Sequence, residues 1–496
     1  MGDSIKKNPL QLAREYETLH KKDADPERQM FHITPMVGWM NDPNGFSIYK
    51  GEYHLFYQYY PYKVEWGPTH WGHAKTNDFI KWEFLPCALA PEHEYESNGC
   101  FSGSAIELED GRQLLLYTGG CKGVDEKGRP DQDLQHQCAA IGDGIDFVKL
   151  ENNPIINVED IPEGGNWLDF RDPKIYKEDG RYIVLLANRP DDGSGRVLMY
   201  ESEDGLNWKY MGILDECHNE YGKIWECPDF FLLDGKWVLL GSPQEMQTDG
   251  LEFHPGYGTL TIIGDYDKEN LKFTREHLHA IDYGTDFYAP QTLETEDGRR
   301  IMIAWMMNWT NVSFKMPDIH YFSAMTLPRE LHVRDGRLYQ EPVKELDNYR
   351  VASAYHKDVT VCEETSFDDV KGRYIDMTVS VKPEDDYKVF ELQIAKNDRF
   401  HTSVIYDREK GTVMVDRSES GVRFDIVQKR EFYVSDLGGE IKFRAIIDKD
   451  SMELFVNDGA QTCTGVIYTD LDIDGISFKA DANVKIDVEC HTINVE

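Results

Sequence analysis

Five times in its first three hundred residues the chain repeats one short phrase, a polar turn ending in glycine followed by an apolar run. The copies are Lys50-Gly51 into EYHLFYQYY, Asp110-Gly111 into RQLLLYTG, Asp179-Gly180 into RYIVLLAN, Asp234-Gly235 into KWVLLGSP and Asp297-Gly298 into RRIMIAWM. The glycines are spaced by 60, 69, 55 and 63 residues. An Asp-Gly pair between apolar runs is a strong hairpin signal. A second element follows most copies: KTNDFIKW at 75–82, GDGIDF at 142–147, SEDGLNW at 202–208 and, more loosely, GDYDKENLKF at 264–273. It has the form of a turn into the last strand of each unit. Five units of about four antiparallel strands predict an all-β chain built on a five-bladed β-propeller. A large β-sandwich with similar hairpins is the competing architecture.

The pattern changes after the fifth unit. Residues 344–358 (KELDNYRVASAYHKD) suggest a short helical linker, and from about 360 long alternating strands such as YIDMTVSV, VFELQIAK and MELFVND replace the hairpins. The expected organisation is a helical lead-in over 1–27, a propeller over 28–343, a linker over 344–359 and a C-terminal β-sandwich over 360–496.

The repeat also aligns chemistry. Nine residues before Gly51 stands Asp42, nine before Gly111 Ser102, eight before Gly180 Asp172, nine before Gly235 Glu226 and nine before Gly298 Ala289. These near-equivalent positions fall on the innermost strand of each blade, so they converge on the central channel. Three of the five are carboxylates. Asp42 and Asp172 directly precede proline and Glu226 precedes Cys227-Pro228. Proline extends the residue before it and removes a ladder donor, which suits a strand that bulges at a channel mouth. Such dipeptides also mark ordinary turns, but three repeat-equivalent acids with aromatic neighbours point to a site.

Carboxylates brought together repel one another, so one retains its proton near neutral pH while another stays ionised. Glycoside cleavage needs such a pair. Trp39, Trp66, Trp71, Phe101, Trp225 and Trp305 can offer apolar faces to a sugar, and Asn41, Gln58, Ser102 and Arg171 can bond its hydroxyls. A metal site is the competing reading of three acids, and calcium would suit them better than zinc. No His or Cys cluster supports a transition metal, and no glycine-rich nucleotide motif is present.

Composition narrows the partners. The net charge of -37 argues against nucleic acid and anionic membranes. The nine cysteines are scattered and without a CxxC pair, and the N-terminal residues lack the apolar stretch of a secretion signal; both favour a cytoplasmic protein. Two glycosylation patterns, beginning at Asn308 and Asn311, are then chance.

The motifs resemble glycoside hydrolase family 32, the sucrose-cleaving family of invertases, levanases and sucrose-6-phosphate hydrolases. Trp39-Met40-Asn41-Asp42-Pro43-Asn44-Gly45 is similar to the family's opening signature, and FYQYYP…WGPTHWGHAKTNDFIKWEFLPCALAP matches it closely. Phe101-Ser102-Gly103-Ser104, Arg171-Asp172-Pro173 and Glu226-Cys227-Pro228-Asp229 resemble its later motifs, and Met452–Gly459 resembles a recurring strand of its sandwich. The resemblance implies that Asp42 is the nucleophile and Glu226 the acid/base of a retaining β-fructofuranosidase. It implies that Asp172 and Arg171 grip the fructosyl unit, with Trp39, Asn41, Gln58, Trp66, Phe101, Ser102 and Trp305 around it. No cofactor or metal is implied. The substrate would be sucrose, sucrose 6-phosphate or a short fructo-oligosaccharide, with Lys63, Lys75 and Lys315 as candidate phosphate ligands. A fructosyltransferase, an inverting arabinan- or xylan-cleaving enzyme and a non-catalytic carbohydrate-binding protein are the alternatives. The sandwich resembles a lectin-like module, for which no independent sugar binding is expected. Assembly into a homo-oligomer is left open by the sequence.

Overall fold

The computed structural model describes residues 8–190, 193–312, 319–421 and 426–495. Lys315 and Ser313, the latter part of the second glycosylation pattern, lie outside the described residues.

Twenty-one strands of the first 342 residues form five sheets whose order follows the sequence, apart from one two-residue strand that returns to the first sheet. Their lead strands are Gly38–Tyr49, Gly99–Glu107, Phe170–Glu178, Trp225–Leu233 and Tyr288–Glu294. The five glycines of the repeat turn each lead strand into the next. All have φ between 79° and 83°, and open space where a Cβ would stand. Lys50, Asp179 and Asp234 before them are also left-handed, as a two-residue turn matched to strand twist requires. The second repeated element has its own cause. Asp78, Asp143, Asp204 and Asp267 each accept two backbone N–H groups two or three residues ahead, at 2.8–3.2 Å. These side-chain turns lead into the last strands of the first four sheets.

Each lead strand contacts the next, and the fifth contacts the first. The closure is reinforced by Tyr321–Phe322, a segment of the fifth unit that runs parallel to Gly38 and Trp39 of the first sheet. The N-terminal helix (Pro9–Ala24), capped by Asn8, lies across the rim. Its Arg14 reaches the Cys87 carbonyl of the first sheet at 2.8 Å and Asp146 of the second at 2.6 Å.

The C-terminal region is two packed sheets. One has six strands in the order Arg350–Val361, Val484–Ile493, Tyr374–Pro383, Ile441–Asp448, Ser451–Val456, Gln461–Val466; the other has five, with Lys429–Tyr433 at one edge and Gly475–Ala480 at the other. The helical linker expected over 344–358 is confined to Lys344–Tyr349, a short 3-10 turn; Arg350–Val361 is a strand instead. Its pairing with Val484–Ile493 offers more ladder than an isolated helix of this length can supply.

A buried polar seam joins the two regions. The His32 ring lies 2.8 Å from both Asp448 and Glu453. Arg329 bonds Glu453, Asp282 at 3.0 Å and Gln340 at 2.9 Å. Asp286 of the first region pairs with Arg417 of the second at 2.5 Å. Among the described residues no helix is long and apolar enough to cross a membrane. All nine cysteines are unpaired, and all but Cys362 are buried. Asn308 and Asn311 are buried, with their side-chain amides bonded inside the protein.

Candidate active site

Every lead strand breaks register with its partner at the same level. The breaks fall between Met40 and Pro43, Phe101 and Gly103, Arg171 and Lys174, Glu226 and Asp229, and Tyr288 and Gln291. An extra residue on one strand bends it and redirects its side chains. The prolines Pro43, Pro173, Pro228 and Pro290 stand at or beside these bulges, where a missing N–H costs the ladder nothing. In the third, fourth and fifth sheets Asp172, Cys227 and Ala289 occupy the bulge with φ of 61°, 49° and 51°. Non-glycine residues in that region persist only where the surroundings hold them.

The bulges refine the alignment made from the hairpin glycines. Arg171, Glu226 and Tyr288 are the equivalent residues, each the last paired position before the break, while Asp172 aligns with Cys227. The three acids therefore come from neighbouring positions rather than one position repeated. The strand bends still bring them together. Arg171 donates to Glu226 Oε1 at 3.1 Å, and the Tyr288 hydroxyl donates to Glu226 Oε2 at 2.6 Å. The Cys227 backbone N–H donates to Asp172 at 3.0 Å. Ser102 of the second sheet donates to Asp42 Oδ2 at 2.7 Å, and the Cys227 thiol lies 3.8 Å from the same oxygen. One connected cluster thus spans all five sheets.

Its electrostatics follow from burial and from a shortage of cations. Burial pushes Asp172 up to about 7; Arg171 opposes this, while Glu226 and Asp42 add to it. Burial likewise raises Asp42, against the Ser102 bond and with the repulsion of Glu226. Arg171 is the cation among them, and it is shared with Asp169 at 2.5 Å. Two of the three acids are thus raised together, Asp172 to about 7, the kind of perturbation that acid–base chemistry uses.

The remaining predicted residues divide by position. Asn41 donates to Asp42 at 3.2 Å and accepts from the Trp39 indole at 2.8 Å, so Trp39 orients the amide that faces the acid. Trp39 stacks on Phe322 and neighbours Trp305 and Trp309. Trp305 donates to Ser323, which bonds the Met40 carbonyl. Gln58 lies opposite the first bulge and donates to the Cys100 carbonyl at 3.0 Å. Phe101 lies over Gly120, where a Cβ would come within 2.4 Å of its ring. Trp66 is 52% exposed and stands outside the packed cluster. Trp71 and Trp225 are core residues: the first bonds the Phe101 carbonyl, the second the Tyr221 carbonyl, with Arg275 over its ring.

Lys75 is committed elsewhere, paired with Glu52 and Glu83 near the first hairpin turn, and Lys63 pairs with Glu65. Among the described residues no group of three or more His, Cys, Asp and Glu side chains is arranged to hold a metal, and the acids are met by protein donors instead.

Sequence reasoning assigned no part to Tyr288, Cys227 or Thr118, which accepts the Asp172 N–H at 2.9 Å. A signal existed for the first two. Arg171-Asp172-Pro173, Glu226-Cys227-Pro228 and Tyr288-Ala289-Pro290 share one spacing to proline, and aligning on the proline puts Tyr288 beside Glu226 in role.

Comparison with known proteins bears on this site. Residues 32–342 match the model of the glycosyl hydrolases family 32 N-terminal domain, and residues 345–495 match the family 32 C-terminal model. A sucrose-6-phosphate hydrolase of Zymomonas mobilis is 36% identical over 89% of this chain and 87% of its own length. A raffinose invertase of Escherichia coli is 32% identical over 96% of each chain. Among solved structures, a Bombyx mori GH32 β-fructofuranosidase superposes with a TM-score of 0.83, at 33% identity and 98% coverage of both chains.

Proposed function

The chain belongs to glycoside hydrolase family 32, and from that premise we propose that it is a retaining β-fructofuranosidase releasing the terminal β-fructosyl unit of sucrose, sucrose 6-phosphate or a short fructo-oligosaccharide. The observation that carries this reading is the joining of Asp42, Asp172 and Glu226, from three sheets, in one hydrogen-bonded cluster served by Arg171. A mutant of the Bombyx mori enzyme forms a complex with sucrose, and the relatives include a sucrose-6-phosphate hydrolase, a levanase and a raffinose invertase.

In this mechanism Asp42 attacks the anomeric carbon of the fructosyl unit and the bond to the leaving oxygen breaks. Glu226 gives that oxygen its proton, then takes one from the water that hydrolyses the fructosyl–Asp42 ester. Ser102 and Asn41 hold Asp42 in the attacking orientation. Tyr288 and Arg171 hold Glu226. Asp172, with its raised affinity for a proton, faces the sugar hydroxyls and the positive charge of the transition state. Gln58, Phe101, Trp39, Trp66 and Trp305 complete the surroundings of the sugar. No step requires a cofactor. The five sheets with touching lead strands are the blades of a five-bladed propeller, the domains divide near residue 343, and unpaired cysteines support a cytoplasmic setting. With Lys75 committed and Lys63 paired, sucrose and short fructo-oligosaccharides are favoured over the phosphorylated sugar.

The test is to incubate the protein separately with sucrose, sucrose 6-phosphate, kestose and inulin, beside an Asp42→Asn control. Fructose release that disappears in the control supports the reading, and release of the β-anomer first, seen by proton NMR, supports retention. No release from any of the four, or inversion, overturns it.

A further inference from the structure

If Glu226 protonates the leaving oxygen, the departing sugar must stand on the Glu226 side of the site. The register of the fourth sheet locates that side. Trp225 and Glu226 pair with Pro243 and Ser242, so the loop that follows Pro243 starts beside the acid. This loop is pinned. Met246 and Gly256 exchange backbone bonds of 2.8 and 3.1 Å, the Gly258 N–H donates to the Pro243 carbonyl at 2.9 Å, and buried Asn308 donates to the Tyr257 carbonyl at 3.0 Å.

Tyr257 stands on the rigid end of the loop. Its ring meets Tyr288 edge-on, with centroids 5.8 Å apart at 85°, and Tyr288 is the residue whose hydroxyl donates to Glu226. It nevertheless remains 38% exposed, and its own hydroxyl bonds no described residue. The phenol is raised by burial first, then by Glu226, while Arg171 lowers it, so it lies in the electrostatic reach of the acid. A tyrosine with a fixed backbone, one buried edge and an open face and tip is suited to a ring that is apolar on its C–H face and polar at its rim.

We infer that Tyr257 is the platform of the leaving-group subsite, its open face taking the sugar that departs through Glu226. The inference rests on the fructosidase reading and adds to it a residue that selects the leaving group. Binding energy gathered on a non-reacting ring can be used at the reacting bond, so the effect should appear as substrate selectivity.

The experiment compares sucrose with methyl β-D-fructofuranoside, which carries the same fructosyl unit but no leaving ring. In Tyr257→Leu the ratio of kcat/KM for sucrose to that for the methyl fructoside should fall about tenfold, the loss expected when an aromatic contact is removed. Tyr257→Phe keeps the face and should hold the ratio within about threefold of wild type. Equal losses on both substrates would overturn the inference and make Tyr257 a support for Tyr288 and Glu226; so would an unchanged ratio in Tyr257→Leu. Failure of the wild-type protein on both substrates is a separate result, which would remove the fructosidase reading itself and the inference with it.

Discussion

The acid cluster of the candidate site and the seam between the two regions are built from the same ingredients, buried carboxylates with few cations, yet they reach opposite electrostatic states. In the seam, Glu453 is held below its usual range despite burial, because Arg329 and His32 both face it. His32 is raised to about 9: burial alone would lower it, but bonds to Asp448 and Glu453 overcome that. In the site, three acids share Arg171, and Asp172 is pushed up instead. The difference teaches that burial does not itself decide ionisation; the number of cations within bonding distance does. The seam's charges are matched across the two regions, while those of the candidate site are only partly compensated.

Disturbing the two clusters should separate these roles. The largest effect is expected for Asp42→Asn, which should lower kcat by about 10^4 or more while leaving the folded chain no less stable than before. Loss of stability without loss of chemistry would place Asp42 in the structural class instead. Next comes Glu453→Gln in the seam. It leaves Arg329 and His32 facing a neutral group and should cost about 3–5 kcal/mol of stability, read by denaturant unfolding. A cost within experimental error would mean that the seam's charges do not hold the regions together.

His32 should then show itself through pH. Its affinity for protons is higher folded than unfolded, so its contribution is complete below pH 6.5 and fades as pH rises towards 9. The rise from the ordinary histidine value of 6.5 to about 9 corresponds to about 3 kcal/mol. The stability gap between wild type and His32→Gln should therefore narrow from pH 6 to pH 10; a constant gap would contradict the assignment. The smallest effect runs the other way. Asp172 also binds its proton more tightly when folded, so its cost to stability grows as pH rises from 3.8 to about 7 and is complete above that. Asp172→Asn should lose activity yet unfold at a higher temperature than wild type at pH 8, and by a smaller margin at pH 5. A destabilised Asp172→Asn at pH 8 would show that the carboxylate is compensated after all.

How far the sequence reached differs from element to element. The five hairpins were legible because a left-handed turn needs Gly51, Gly111, Gly180, Gly235 and Gly298, and that requirement is local. The side-chain turns at Asp78, Asp143 and Asp204 were legible for the same reason. Asp42, Asp172 and Glu226 could be picked out by distance from those glycines. The strand Arg350–Val361 was not legible, since its partner Val484–Ile493 is more than a hundred residues away and the segment's own composition tolerates a helix. Neither was the fate of the tryptophans: Trp39, Trp66, Trp71, Trp225 and Trp305 look alike in the chain, and only packing separates the exposed Trp66 from the buried rest.

The sequence by itself determined where the chain turns, how often, and which three of the five units start with a carboxylate, because turn geometry and spacing to a glycine or proline are properties of a few adjacent residues. Tertiary structure decided the rest. The bulges shift each lead strand by its own amount, so the alignment of Arg171, Glu226 and Tyr288, the sharing of Arg171 between Asp169 and Glu226, and the raised proton affinity of Asp172 exist only once five strands distant in the chain are side by side. Charge coupling depends on separation and burial in space, and neither is written in the order of residues.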